Sequence, residues 1–321
     1  MAPTDPGHRI PEGNPARIPD SNESTVLVTG ANGFIGSHLV RRLASSGRPV
    51  RAMVRSRERV DLPDGVPVVE ADVTNPETLG PAVEGVAVVV HAAALVANLK
   101  EPYPGAYQAV NLRGTQSLVE AARRARVERF VLLSGMDTKP GKTGSYMATR
   151  WGMEEAVRQG GIPYVVLQPS VLFGQGAPFT TELAKLARRL PVVPAIGGGG
   201  VMFQPIWVED VVSCLVACVD RPDVLGGAYA VGGAEQVSFG QIIQALGRAI
   251  GKRRTTVTLP VPVARALAAC MTAVLPHPPL TSASIELFTL KQTTSLDAVL
   301  RAFGVEPRGL ITHLTEHGLS G

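Results

Sequence analysis

The sequence predicts an α/β protein built on a parallel sheet, and three observations carry that expectation. β-branched apolar runs alternate with segments whose apolar residues recur every three to four positions, the pattern of strands buried on both faces and of helices laid over them. The first strand-to-helix junction holds three glycines, Gly30, Gly33 and Gly36. A later apolar run, 86–94, ends in the small residues Ala92, Ala93 and Ala94, which leaves room for a ligand in the crevice at a strand's carboxyl end.

Residues 25–29 read as the first strand, and Ile35, Leu39 and Leu43 mark one face of the helix that follows. Between them the spacing Gly30-x-x-Gly33-x-x-Gly36, with Asn32, Phe34 and Ile35 in the same turn, lets the backbone approach a pyrophosphate. The phosphates would rest on the N–H groups and positive dipole end of the helix. Residues 49–55 and 66–70 are the second and third strands, 76–84 a helix, and 86–94 the fourth strand, with His91 lining the crevice at its end. A long helix over 107–125 carries Leu118, Ala121, Ala122 and Ala125 along one side. Residues 130–134 form a fifth strand, a helix then holds Tyr146 and Arg150, and 163–168 form a sixth strand. Alternation of this kind implies right-handed βαβ crossovers and a doubly wound sheet of the Rossmann type.

Beyond Pro169 the pattern loosens. Helices are expected over 180–190, 208–219 (opening on Glu209 and Asp210) and 239–250, with strands at 203–207 and 229–231 and a Pro-punctuated helical remainder from Pro260. The expected organisation is a disordered tail over 1–23, a Rossmann core over 24–175, and a segment over 176–321 that completes the sheet and forms a smaller, mostly helical substrate lobe.

The chain has 321 residues, 45% of them hydrophobic and 18% charged, with a formal net charge of +4, the profile of an ordinary globular protein. Its basic pairs, such as Arg41-Arg42 and Arg188-Arg189, are scattered without aromatic interleaving, so they read as solvated helix faces rather than a nucleic-acid patch. Three cysteines argue for a reducing compartment, and a cytoplasmic protein is expected. Cys214 and Cys218, four apart, have no further ligand at metal spacing, nor have His277 and His313; no metal is expected. The segment 261–275 is apolar apart from Arg265 and too short to span a bilayer. It reads either as an interfacial helix in peripheral membrane contact or as a core helix. The sequence is silent on oligomeric state.

The end of the second strand reads Val54-Arg55-Ser56-Arg57, with no acid until Glu58. NAD sites place an acid there on the ribose diol, whereas an arginine fork suits a 2′-phosphate. Arg55, with Arg57 second, therefore favours NADP(H), with NAD(H) as the alternative. Asp72, followed by Val73, is placed either to contact adenine or to make a turn.

Together these residues resemble the short-chain dehydrogenase/reductase superfamily in its extended and atypical branch: Thr29-Gly-Ala-Asn-Gly-Phe-Ile-Gly36, Asp72-Val73, His91-Ala-Ala-Ala94, Asn111, Tyr146-x-x-x-Arg150, Gln168-Pro-Ser-Val-Leu-Phe-Gly174 and Trp207-Val-Glu-Asp210. The resemblance is similar to NmrA-like and complex I accessory-subunit-like proteins. It implies an NADP(H)-dependent oxidoreductase or epimerase-like enzyme acting on a small hydroxyl or carbonyl substrate, with Tyr146 as general acid/base. Pro169 would border the cofactor. Arg150 stands where the family carries a lysine that holds the nicotinamide ribose. Ser134 is the nearest match to the family's acting hydroxyl, which usually lies slightly later, where this chain has Gly135 and Met136; Thr138, Thr143 or Ser145 could substitute. These departures motivate the alternative, a non-catalytic NAD(P)-binding sensor or structural subunit.

Overall fold

The structure, a computed structural model, describes residues 24–58, 60–98, 100–141, 145–276, 278 and 280–319. The expected tail, Thr143 and His277 lie outside them. Six strands of the first half, β1 (Val26–Thr29), β2 (Val50–Val54), β3 (Val68–Glu70), β4 (Val88–His91), β5 (Arg129–Leu133) and β6 (Tyr164–Pro169), join one large sheet. The second half adds β7 (Leu172–Phe173), β8 (Val192–Ile196), β9 (Met202–Phe203), β10 (Ile206–Trp207), β11 (Ala228–Val231), β12 (Val237–Ser238) and β13 (Thr255–Leu259). The large sheet has the order β11-β6-β5-β4-β1-β2-β3, and every pairing in it is parallel.

Because side chains alternate along a strand, each central strand feeds two cores. Val26 and Val28 face the helices α1 (Phe34–Ser45), α6 (Val208–Asp220) and α10 (Ala298–Phe303) through Leu39, Leu43, Val211, Leu215 and Phe303. Leu27 faces α2 (Leu79–Val83), α3 (Gly114–Arg124) and α4 (Tyr146–Arg158) through Leu79, Leu118, Met153 and Val157. Each such leucine contributes about 2 kcal/mol by leaving water. A third core, around Phe173, Phe203, Phe239 and Leu246, gathers α5 (Pro178–Arg189), α7 (Phe239–Ala249) and α11 (Leu310–His317) beside the sheet. The helices α8 (Val261–Val274) and α9 (Ser282–Leu287) complete the chain's second half.

Several elements differ from the sequence reading. The helix expected over 107–125 begins with a π-helical turn, Gln108–Arg113, in which the Asn111 amide turns back to bond both backbone groups of Leu95. The helix expected over 76–84 opens as a single 3₁₀ turn, Pro76–Thr78, with Asn75 accepting from the Glu77 N–H. The strand expected over 203–207 is split around Gln204 and Pro205 into β9 and β10, because proline cannot donate to a ladder. The parallel pair β8–β13 was not foreseen; Pro194 inside β8 masks it in the sequence.

Sheet order places β1 between β2 and β4, so the winding reverses at β1–β4. The crevice lies outside the carboxyl ends of these two strands, where Thr29 pairs with His91. Ligands of doubly wound sheets bind at such a point.

Candidate active site

The floor of the crevice is the turn from β1 into α1. Gly30 has φ of +64°, and a Cβ there would come within 2.9 Å of Ala92 O and the Ala93 backbone. A Cβ on Gly36 would come within 2.2 Å of Gly30 O. The turn, the start of α1 and the segment after β4 thus run backbone against backbone, with Gly33 N donating to Gly30 O at 2.8 Å. No side chain caps α1 and no acid stands in its first turn, so its amino end faces the crevice uncapped. Asn32 and Gly33 are exposed at this turn, Phe34 and Ile35 half-buried. A cradle that only glycine can line, beneath uncapped N–H groups, fits a dinucleotide pyrophosphate. Gly30, Gly33, Gly36 and the first turn of α1 would hold it.

Beneath this floor is a buried polar chain. The Thr29 hydroxyl accepts from Ala93 N at 3.2 Å and lies 2.7 Å from His91 Nδ1. His91 Nε2 lies 3.0 Å from the Thr115 hydroxyl, which donates to Asn111 O. These partners assign a neutral ring with the proton on Nε2, since Thr115 has its own proton engaged and can only accept. Full burial pushes His91 down to about 4. His91 was expected to line the crevice; it lies wholly beneath it, and braces β4 against β1 and the first turn of α3.

Ala92 and Ala93 stand half-buried beside Gly30. Arg55 is exposed at the end of β2, while the Arg57 guanidinium donates to Val68 O at 2.5 Å. The Asp72 carboxylate accepts from the amide and hydroxyl of Thr74, each at 2.8 Å, an Asx turn that engages one of its oxygens. Val73 is buried against Gly114, where a Cβ would meet its Cγ2 at 2.7 Å. Pro169, buried at the end of β6, accepts from Met136 N.

Tyr146 enters at the first turn of α4, which Ser145 caps by accepting from Ala148 N. Its ring packs in an apolar wall formed by Leu95, Ala97, Tyr107, Met147, Ala283 and Leu287, edge-on to Tyr107 with centroids 5.2 Å apart. Burial and the neighbouring Tyr146 raise the Tyr107 phenol well above its usual range. One helical turn on, Arg150 Nη1 donates to Tyr146 Oη at 3.1 Å. The other side of that guanidinium lies flush on Gly135: a Cβ there would meet Arg150 Nη2, Nη1 and Cζ at 2.3, 2.5 and 2.6 Å.

Ser134 points elsewhere. Its hydroxyl donates at 2.5 Å to Oε1 of Glu154, a fully buried carboxylate that also accepts from Gln168 Nε2 and Arg158 Nη2. Thr138 Oγ1 donates to Gly135 O. Sequence reasoning brought Tyr146 and Arg150 together and missed both Gly135 as the seat of the guanidinium and Glu154 as the partner of Ser134. Glu154 sits four residues before Arg158, a spacing that reads as a solvated surface pair.

The Trp207-Val-Glu-Asp210 stretch joins the two halves. Glu209 bonds His38 Nδ1 and Arg42 Nη2 of α1 at 2.5 and 2.6 Å. The Asp210 carboxylate, raised by burial, accepts from Arg308 N at 2.7 Å, and the Arg308 guanidinium stacks on Trp207.

A doubly wound sheet, a glycine-lined pyrophosphate cradle and a tyrosine at the crevice define an NAD(P)-binding protein of the oxidoreductase and epimerase type. The chain belongs to the short-chain dehydrogenase/reductase superfamily, in its extended and atypical branch: residues 30–222 match the NAD(P)H-binding family. It is 35% identical over 206 residues to a ceramide reductase of Caulobacter vibrioides, a match that spans 63% of this chain and 62% of that protein. It is 30% identical over 264 residues to sterol demethylase protein B of Methylococcus capsulatus, covering 74% and 77% of the two chains. The fold is shared with a UDP-glucose 4-epimerase of Thermus thermophilus solved with NAD, at a TM-score of 0.60 and 22% identity, covering 87% of this chain and 99% of that one. No helix among the described residues is long and apolar enough to cross a membrane.

Proposed function

We propose that the protein is an NADP(H)-dependent oxidoreductase acting on a hydroxyl or carbonyl group of an apolar substrate. The observation that carries this reading is the pairing of Tyr146 Oη with Arg150 Nη1 at 3.1 Å inside an apolar wall. Tyr146 Oη delivers the proton to a carbonyl oxygen in reduction and takes it from a hydroxyl in oxidation. The guanidinium beside it stabilises the negative oxygen left when the proton departs. A bound nicotinamide supplies or accepts the hydride. Arg150, seated on Gly135, occupies the space in which the family's hydroxyl would stand and offers its remaining N–H groups to the substrate oxygen or the ribose. Ser134 serves the same site indirectly, by holding Glu154 under the end of β5.

Arg55 is the group for the 2′-phosphate, since it is exposed at the end of β2 and the acid that would select NAD is missing there. The apolar wall around Tyr146 favours a lipid-class ketone or alcohol over a nucleotide sugar, in keeping with the names of the ceramide and sterol relatives.

The test is loss of nicotinamide absorbance when purified protein, NADPH and a panel of apolar and polar ketones are mixed. Oxidation with apolar ketones is expected, and Tyr146→Phe should lower kcat about a thousandfold with NADPH affinity unchanged. NADPH binding without oxidation across the panel, or full turnover by Tyr146→Phe, contradicts the reading and leaves a cofactor-binding structural protein.

A further inference from the structure

Helix α8 presents an outer face that the fold leaves bare. Of its residues only Ala264 and Ala268 are buried, against Ile196 and Ile285. Val263, Leu267 and Val274 are 48%, 41% and 79% exposed, and Leu275, just beyond the helix, 39%. Ala266, Ala269, Cys270 and Ala273 fill the spaces between them, and Arg265 is the single charge. A helix face turned to water is normally polar, so this one is built for another medium.

Charge gives a second, independent observation. Between Glu235 and Glu286 the chain has no Asp or Glu across fifty residues, yet it carries Arg248, Lys252, Arg253, Arg254 and Arg265. The whole chain is near balance, with 31 Lys and Arg against 27 Asp and Glu. At the far end of α8 the Lys100 ammonium donates to Thr272 O and Leu275 O. The apolar face therefore lies in a stretch of sequence without acids, and Glu286 of α9, just past that stretch, is an acid in electrostatic reach of Arg265.

We propose that α8 lies flat on an anionic lipid bilayer, with Val263, Leu267, Val274 and Leu275 entering the acyl boundary while Arg265 reaches the head groups. This goes beyond the redox reading and stands without it. The placement relative to the site is nevertheless direct. α9 packs Ile285 against α8 and turns Ala283 and Leu287 to the wall around Tyr146. One short helix thus separates the membrane face from the crevice.

Co-sedimentation of the full chain with vesicles tests the proposal. Vesicles of phosphatidylcholine with phosphatidylglycerol should bind the protein about tenfold more tightly than phosphatidylcholine alone, and added salt should weaken the binding. Val263→Glu/Leu267→Glu, both at exposed positions, should lower binding to the anionic vesicles about tenfold or more with the melting temperature unchanged. Arg265→Ser, which leaves the apolar face intact, should remove part of the preference for anionic lipid. Equal recovery with and without anionic vesicles overturns the proposal. So does a dimer that Val263→Glu/Leu267→Glu dissociates while wild type and variant bind vesicles alike.

Discussion

Arg150 and Gly135 act as one unit although fifteen positions separate them. The guanidinium reaches Tyr146 Oη because residue 135 has no Cβ to hold it away. Gly135→Ser, which would install the family's hydroxyl, should displace the guanidinium and lower turnover about a hundredfold, the scale of an ångström's misplacement at a reacting centre. Arg150→Lys alone should also lose activity, since the shorter ammonium leaves a gap over Gly135. Together the two changes rebuild a serine–tyrosine–lysine set, so Gly135→Ser/Arg150→Lys should recover at least about tenfold over Gly135→Ser, a coupling that independent sites do not show. NADPH-oxidation rates for the four proteins check this; a double variant no better than the product of the singles contradicts it. At this scale the sequence was half legible. Tyr146 and Arg150 share a helix face by spacing alone, whereas the seat on Gly135 is a contact between a strand end and a helix that no local pattern encodes. Ser134 was legible as a strand-end hydroxyl, but not the direction in which it points, because its partner Glu154 stands twenty positions on in another element.

At the scale of elements, the β1–α1 turn was the most readable part of the chain. Gly33 and Gly36 follow from close contacts with Gly30 O inside the turn, and Gly30 from its positive φ and its approach to the Ala92 and Ala93 backbone, so motif and geometry coincide. The π-helical turn and the β8–β13 pair were not readable, since the first depends on Asn111 reaching Leu95 and the second pairs strands about sixty residues apart. The end of β4 carries a pH-dependent consequence. Folded His91 takes a proton only below about 4, and the unfolded chain does so below 6.5. Between those values the unfolded state binds more protons, so stability falls as pH drops. From pH 7 to pH 5 this group should cost about 2 kcal/mol, the scale set by a shift from 6.5 to about 4. Urea unfolding of wild type and His91→Asn at the two pH values measures it. The variant should show a shallower pH dependence, and parallel behaviour of the two proteins contradicts the account.

Over the whole molecule, the second half is not an appendage. β11 extends the central sheet beside β6, and α6 and α10 cover the face that α1 also covers. Glu209 ties α6 to α1 through His38 and Arg42, and Asp210 fastens the approach to α11 through Arg308 N. The Trp207-Val-Glu-Asp210 stretch was visible as a motif, but its work, joining two halves of one core, required contacts between Glu209 and residues some 170 positions away. The alternation of strands and helices made the first half readable. In the second half, two-residue strands and proline interruptions leave too little periodicity to follow.

The account rests on a dinucleotide seated over Gly30, Gly33 and Gly36, with Arg55 at its adenosine end. Calorimetric titration of NADPH and NADH into wild type and Arg55→Ala tests that most directly. Wild type should bind NADPH at least about tenfold more tightly than NADH, and Arg55→Ala should lose that margin while keeping its NADH affinity. Heat from neither nucleotide at millimolar ligand, or equal weakening of both by Arg55→Ala, would contradict it.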